Sequence, residues 1–186
     1  GFDNAGLVGA DPIEERRRAS LAALSVREAF EPTAPLVLPA DTPATDALDQ
    51  LVRAHGHALL VIENEKVIGL ISLQDLQRGL SAAEGRTEGL SLGACRRGEL
   101  LWLPESAQLD RLEDQIVPGG LRQIPVFAVE ESIGGYLPHG LPTGGLPLSS
   151  LQGVASRDGL AWALARQLQQ RPFEKSATKA SATGSD

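Results

Sequence analysis

A hydroxyl and a carboxylate stand three residues apart at Ser72 and Asp75, where an apolar stretch gives way to a helical pattern. The pattern Ser-x-x-Asp is close to a capping box, in which each side chain bonds the other residue's backbone N–H and so starts a helix. This role alone stabilises a helix by about 1 kcal/mol. Because the N–H groups and the dipole of a helix start favour an anion, the Ser72 hydroxyl could also face an anionic ligand. The residues by themselves leave both interpretations open.

A related pattern recurs further along the chain with altered chemistry. Ser156 keeps the hydroxyl, but Gly159 stands at the position that matches Asp75. Asp158 lies one residue earlier, about 100° round a helix, so its carboxylate should point elsewhere. Arg157 could reach a phosphate or could be an ordinary surface arginine at a helix start. We therefore expect two unequal sites.

No set of residues typical of catalysis is visible, and we expect a protein that is not an enzyme. A glycine-rich phosphate loop is missing, and residue order offers no Ser/His/Asp or Cys/His set. His55 and His57 lack an evident third ligand, which favours a solvated helix end over a metal site. The net charge of −7 argues against binding to nucleic acid. No apolar run reaches the roughly 20 residues that span a bilayer.

An internal repeat organises the chain. A shift of 65 residues places Leu36–Pro39 on Leu101–Pro104 and Asp49–Val52 on Asp114–Val117. Each copy predicts the order β-α-β-β-α, because short apolar runs alternate with helical spacing and turn residues. One such unit has too small a core to be stable alone. The sequence therefore predicts one α/β (α+β) domain in which two repeats bury their sheets against each other.

The second copy is longer than the first. Gly69 and Gly153 match by pattern but lie 84 residues apart, which is 19 more than the repeat length. The extra residues fall within 131–149, which are rich in Gly and Pro and predict an irregular loop. The predicted organisation is a leading helix and linker (1–23), repeat one (24–80), a linker (81–100), repeat two (101–170) and a disordered tail (171–186).

The ordered motifs resemble those of the CBS domain pair, named after cystathionine beta-synthase. Gly69–Leu76 matches the family's closing signature, Gly-apolar-apolar-Ser/Thr-x-x-Asp-Leu, and Arg122–Val126 resembles its central strand. Ser25–Phe30 resembles its opening segment, with Phe30 where methionine is usual. The resemblance implies a pseudo-two-fold pair with a cleft between its sheets. It also implies a regulatory ligand, for which ATP, ADP, AMP and S-adenosylmethionine are the candidates, and no required cofactor.

The resemblance further implies roles for particular residues. The Asp75 carboxylate would accept hydrogen bonds from ribose hydroxyls, and Ser72 would face phosphate. Ile71 and Leu38 would sandwich the base, and the backbone of 58–60 or 123–125 would lie at its edge. The predicted contact residues are Ser72, Asp75, Ile71, Leu38, Leu60, Gln123, Ile124, Pro125, Ser156 and Arg157.

Three functions follow as hypotheses. The chain, which starts at Gly1 and contains no methionine, could be the cytosolic regulatory part of a larger transport protein. ClC-type chloride channels and transporters carry such a pair. It could instead be a stand-alone or enzyme-attached sensor, or a purely structural dimerisation module. In each case the resemblance implies a homodimer of pairs. The single cysteine, Cys95, suits a reducing cytoplasm.

Overall fold

The computed structural model describes residues 11–96, 100–119, 121–129 and 144–182, with side chains as far as residue 170. The helices are α1 (Pro12–Ala23), α2 (Ala44–Arg53), α3 (Leu73–Ala82), α4 (Leu109–Gly119) and α5 (Arg157–Ala182). The strands are β1 (Leu36–Pro39), β2 (Ala58–Glu63), β3 (Lys66–Ser72), β4 (Leu103–Pro104), β5 (Gln123–Phe127), β6 (Leu146–Pro147) and β7 (Leu151–Ser156). Short 3-10 turns lie at Val26–Ala29, Leu92–Cys95 and Leu148–Ser150.

Two mixed sheets form the centre of the molecule, which confirms the predicted α/β fold of two β-α-β-β-α repeats. The strand orders are β1-β2-β3-β6 and β4-β5-β7. In each sheet the first strand runs parallel to the second, which pairs antiparallel with the third. The register shifts between Val61 and Ile62 in one sheet and between Val126 and Phe127 in the other. These bulges occupy equivalent positions of the two repeats.

The turn between β2 and β3 is a tight hairpin. Asn64 and Glu65 have φ angles of 54° and 62°. Positive φ at both central residues is typical of a type I′ turn, whose twist matches that of the paired strands. This turn therefore has a geometry that sets the register of the first repeat's hairpin.

The core consists of three apolar layers. The outer layers lie between each sheet and its helices, around Leu51 and Ile71 in the first repeat and around Leu112 and Ile124 in the second. The middle layer joins the two sheets and contains Leu60, Val67, Leu100, Trp102, Phe127, Leu146 and Val154. The rings of Trp102 and Phe127 meet edge to face, with centroids 6.1 Å apart. This shared layer buries the inner faces that neither repeat could cover alone.

A 3-10 turn ahead of the first strand of each repeat packs onto the other repeat. Val26, in the first such turn, donates its N–H to the carbonyl of Ala107 at 2.9 Å. Leu92, in the second, donates its N–H to the carbonyl of Thr42 at 2.7 Å. We call Val26–Ala29 and Leu92–Cys95 the first and second leading turns. The segment 81–100, predicted as a plain linker, thus contains a structural element that crosses back to the first repeat.

The end of the predicted loop insertion is a strand. Residues 131–143 lie outside the described residues, but β6 pairs antiparallel with β3, with Val67 opposite Leu146 and Lys66 opposite Pro147. Leu146 is 2% exposed. The prediction of an irregular loop through residue 149 is therefore wrong for this part. The reason is that β3 offers unpaired backbone groups at the sheet edge, and Leu146 can bury its side chain between the sheets.

The tail also differs from its prediction. Helix α5 continues to Ala182, so the backbone of 171–182 is helical and not disordered as predicted. Ala, Lys, Glu and Arg make up seven of the twelve residues of this stretch, and these residues have high helix propensity even without an apolar stripe. Residues 183–186 lie outside the described residues. Among the helices of the described residues, none combines the length and the apolar character needed to cross a membrane.

A cluster of charges docks α1 on α4. Arg17 and Arg18 both donate hydrogen bonds to the Glu113 carboxylate, and Arg18 also contacts Asp114. The Glu113 side chain is only 14% exposed. The hydrogen bonds from Arg17 and Arg18 lower the pKa of Glu113 from its ordinary value, against the effect of burial.

We expect Glu113→Gln to lower the free energy of unfolding by about 1–2 kcal/mol at neutral pH, because two guanidinium groups lose their carboxylate partner. Since the folded-state pKa of Glu113 is lowered, its contribution is present above the ordinary glutamate pKa. It is lost as the pH falls through the folded-state value.

Urea unfolding of both proteins at a series of pH values measures this difference. The gap between wild type and variant should close at acidic pH. Asp114→Asn is the matched control, because Asp114 is 65% exposed and its loss should cost less than half as much. A gap that persists unchanged at low pH would contradict the assignment.

Candidate functional site

A continuous cleft lies between the two repeats at the ends of the strands. Its walls form three adjoining cavities of about 480, 340 and 260 Å³, and His57 and Gln123 line all three. These residues sit at the starts of β2 and β5. Leu73 donates its N–H to the carbonyl of His57 at 2.8 Å, and Arg157 donates its N–H to the carbonyl of Arg122 at 3.0 Å. Each repeat thereby brings a strand start against a helix start.

The largest cavity contains Ser72 and Asp75, and we call it the Asp75 cavity. The capping box is complete: Asp75 accepts the Ser72 N–H and Ser72 accepts the Asp75 N–H, each at 3.0 Å. The other carboxylate oxygen of Asp75 accepts a hydrogen bond from Arg78 at 3.2 Å. The Asp75 side chain remains 20% exposed. Ser72 and Asp75 therefore start the helix and also line the cleft.

The apolar wall of the Asp75 cavity differs from its prediction. Leu70, Leu100, Leu101 and Leu121 line it. Ile71 and Leu38, predicted as walls, are 0% and 8% exposed and pack in the helix-facing core of the first repeat. The prediction of these two residues as walls is wrong, because successive side chains of a strand point to opposite faces. Ile71 cannot share the cleft face with its neighbour Ser72, whereas Leu70 can.

The same alternation divides the residues predicted at the base edge. Gln123 lines the Asp75 cavity, and Leu60 lines the neighbouring cavity of about 340 Å³. Ile124 is buried in the helix-facing core of the second repeat. Pro125 is also buried and pairs with Val154 in the sheet. Neither Ile124 nor Pro125 lines one of the three cavities.

The smallest cavity contains Ser156 and Arg157, and their polar groups already have partners. Ser156 is 2% exposed and accepts the N–H of Gly159 at 2.8 Å. Arg157 donates to the carbonyl of Leu121 at 2.7 Å and to the carbonyl of Ile116 at 3.3 Å. Arg157 therefore binds carbonyl groups at the end of α4, a role that neither sequence interpretation of this residue included.

Gly159 explains why the second repeat lacks a counterpart of Asp75. A Cβ atom at this position would overlap the backbone carbonyl of Ala29, in the first leading turn. The leading turn thus occupies the space in which a side chain would extend from α5. Of all residue types, only glycine fits here without a shift of that turn.

Three arginines of the Asp75 cavity were absent from the predicted site: Arg78, Arg96 and Arg122 all line the cavity. Arg96 lies across Gly69, where a Cβ would come within 2.6 Å of the Arg96 Cδ, and it donates to the carbonyl of Ile68 at 2.7 Å. Arg122 stands at the position of the second repeat that matches His57 in the first, so the repeat alignment could have indicated it. Arg96 carried no local signal, because its place depends on the docking of the second leading turn.

Cys95 and the histidines offer no further chemistry at the cleft. Burial, with the Asp75 charge nearby, raises the pKa of the Cys95 thiol, so the reactive thiolate is disfavoured. His55 Nδ1 lies 3.2 Å from the carbonyl of Val52. Within the described residues, no group of three or more His, Cys, Asp or Glu side chains could hold a metal ion.

We expect Gly159→Asp, which restores the carboxylate at the position that matches Asp75, to lower the free energy of unfolding by more than about 2 kcal/mol. The new side chain must displace the first leading turn. Ala161→Asp is the control, because it places the same side chain at an exposed position of the same helix. Chemical denaturation of the three proteins measures the difference. Equal stabilities would show that the leading turn does not constrain this position.

Comparisons with known proteins identify the fold. Residues 26–82 match the CBS domain family model. A comparison with curated proteins finds no match. Among solved structures, CBSX2 in complex with AMP is 22% identical with a TM-score of 0.57, over 79% of this chain and 99% of that one. CBSX2 is a CBS-pair protein from Arabidopsis thaliana.

Two further structures share the fold at lower identity. The CBS domain pair of protein MJ0100, in complex with 5-methylthioadenosine and S-adenosyl-L-methionine, is 10% identical with a TM-score of 0.56, over 77% of this chain and 97% of that one. The CBS domain of the bacterial CNNM/CorC family Mg²⁺ transporter is 16% identical with a TM-score of 0.56, over 87% of this chain and 89% of that one. The chain therefore has the fold of a CBS domain pair, and its first repeat matches the CBS domain family.

Proposed function

We propose that the chain is a regulatory module that binds an adenine nucleotide in the Asp75 cavity and controls an attached or partner protein. One observation carries the proposal. A cavity of about 480 Å³ between the repeats combines apolar walls, a partly exposed carboxylate and several guanidinium groups. A nucleotide needs these three environments for its base, its sugar and its phosphate.

The cavity can hold each part of a nucleotide in turn. Leu70, Leu100 and Leu101 offer apolar surfaces for a flat base. A carboxylate oxygen has two acceptor positions, so Asp75 can accept from ribose hydroxyls while it keeps its capping-box bond. Arg78 and the N-terminus of α3 lie beside it and favour an anion. The helix-starting box would thus also orient the sugar.

The solved structures of the same fold support this choice of ligand class. CBSX2 was solved with AMP, and the MJ0100 pair was solved with 5-methylthioadenosine and S-adenosyl-L-methionine. All three molecules carry adenine on a ribofuranose ring with 2′- and 3′-hydroxyls. We propose a binding function without catalysis for this chain, because the described residues of the cleft combine recognition groups and include no arrangement that would activate a nucleophile.

Regulation requires that the ligand bind one arrangement of the repeats better than another. The Asp75 cavity draws its walls from both repeats, so a ligand there would bias their relative position. A homodimer of pairs would pass this bias to the host. The CNNM/CorC transporter domain among the similar structures supports a transport protein as host, and the ClC-type host stays a prediction. Stand-alone and enzyme-attached sensors remain the alternatives.

Asp75→Asn tests the site. The amide oxygen of Asn can still accept the Ser72 N–H, so the helix start should survive, whereas the charge that binds ribose hydroxyls is lost. For the wild type, a nucleotide at about 100 times its dissociation constant should add roughly 2.7 kcal/mol, or about 5–10 °C in Tm. We expect Asp75→Asn to weaken binding at least tenfold in calorimetric titrations with AMP, ADP, ATP and S-adenosylmethionine.

Asp158→Asn is the matched control, since Asp158 occupies the first turn of α5 in the second repeat. It should bind at least as tightly as the wild type, because Asp158 lines only the smallest cavity and its loss removes a negative charge near Arg122. Loss of binding in the control alone would move the site to the smallest cavity. No response of the wild-type protein to any of the four ligands would overturn the proposal and favour the structural dimerisation module.

A further inference from the structure

We infer that the Asp75 cavity selects nucleotides with an extended phosphate chain, ATP or ADP, over adenosine and over the cationic S-adenosylmethionine. The inference rests on the proposed function and names the ligand class for the same site. The charged residues that line the cavity in this chain support it, independently of which ligands the similar structures contain.

The cavity has an excess of positive charge. Arg78, Arg96 and Arg122 line it, and Asp75 is the one acidic residue among its described lining residues. Arg78 is paired with Asp75 through a contact of 3.2 Å. Within the described residues neither Arg96 nor Arg122 forms an ion pair, so both charges can meet a ligand, and Arg122 also lines the smallest cavity with Glu31 and Asp158. A diphosphate or triphosphate neutralises both arginine charges, while S-adenosylmethionine, whose sulfonium and ammonium groups outweigh its one carboxylate, brings a net positive charge.

Arg96 is held in place before a ligand arrives. Its aliphatic part lies across Gly69, and its Nη1 donates to the carbonyl of Ile68 at 2.7 Å. A guanidinium has five N–H groups in a fixed fork, so one bond to a carbonyl leaves a face that matches phosphate oxygens. Because the side chain is already ordered, less rotamer entropy is lost on binding. Gly69, the glycine of the closing signature, thus leaves the space that the Arg96 side chain occupies, and Arg96 can bind phosphate.

The rest of the cleft lacks this excess. In the smallest cavity Arg122 and Arg157 face Glu31 and Asp158, and Arg157 is engaged by the carbonyls at the end of α4. The cavity of about 340 Å³ contains Glu31 and two histidines and is largely apolar. An anionic chain is therefore stabilised most at the Asp75 end, which fixes where the phosphates lie.

Calorimetric titrations of the full chain with ATP, ADP, AMP, adenosine and S-adenosylmethionine test the inference. We expect ATP and ADP to bind at least tenfold more tightly than adenosine or S-adenosylmethionine. Arg96→Gln and Arg122→Gln should each raise the Kd for ATP about five- to tenfold and change the Kd for adenosine less than twofold. Arg16→Gln is the control, because Arg16 is exposed on α1 and lines none of the three cavities. It should leave every Kd unchanged.

Salt adds an independent readout. An increase in ionic strength from about 0.05 to 0.5 M should weaken ATP binding and leave adenosine binding nearly constant. If adenosine or S-adenosylmethionine binds as tightly as ATP, or if both arginine variants keep the wild-type Kd for ATP, the inference is wrong while nucleotide binding stands. If no adenine compound binds, the proposed function itself fails, and this result differs from the previous one.

Discussion

The mutual burial of the two sheets is the constraint on which the rest of the structure depends. Neither repeat has enough residues to cover the inner face of its own sheet, so Leu60 and Val67 of the first pack against Trp102, Phe127 and Val154 of the second. With the sheets held face to face, the starts of β2 and β5 come together, and the helix starts that carry Ser72 and Ser156 flank them. The cleft is therefore a consequence of how the two sheets pack against each other.

The two ends of the cleft differ because the two leading turns contact the helices α5 and α3 at different positions. On α5, the backbone of Ala29 fills the space beside Gly159, so the start of this helix packs against the first leading turn. On α3, the second leading turn contacts Gly79 through the Cys95 side chain, one helical turn beyond Asp75. The first helix start therefore keeps a carboxylate at the cleft. The first leading turn docks beside Gly159, whereas the second docks beside Gly79, which is one helical turn further along its helix. This difference leaves a polar site at the start of α3 and a packed contact at the start of α5.

The repeat order of the fold and the position of the polar site could be predicted from the sequence, because both depend on local patterns. Alternating apolar runs and the Ser-x-x-Asp spacing indicated the strands, the helices and the place where they meet. Alternation also carried a signal that was not used: Ile71 and Ile124 each adjoin a residue that faces the cleft, so neither could face it too. Arg96 and the pairing of β6 could not be predicted, since each depends on segments that meet only after the repeats pack.

The pairing of β6 with β3 joins segments about 80 residues apart, and this distance has a consequence for how the chain folds. During synthesis the first repeat leaves the ribosome with the outer edge of β3 unpaired, and its partner strand is made only after most of the second repeat. A long-range pair of this kind closes late and slows folding. Until it closes, the open edge is available to other chains. Newly made protein therefore passes through an interval in which the first repeat is complete in sequence but its sheet still lacks one strand.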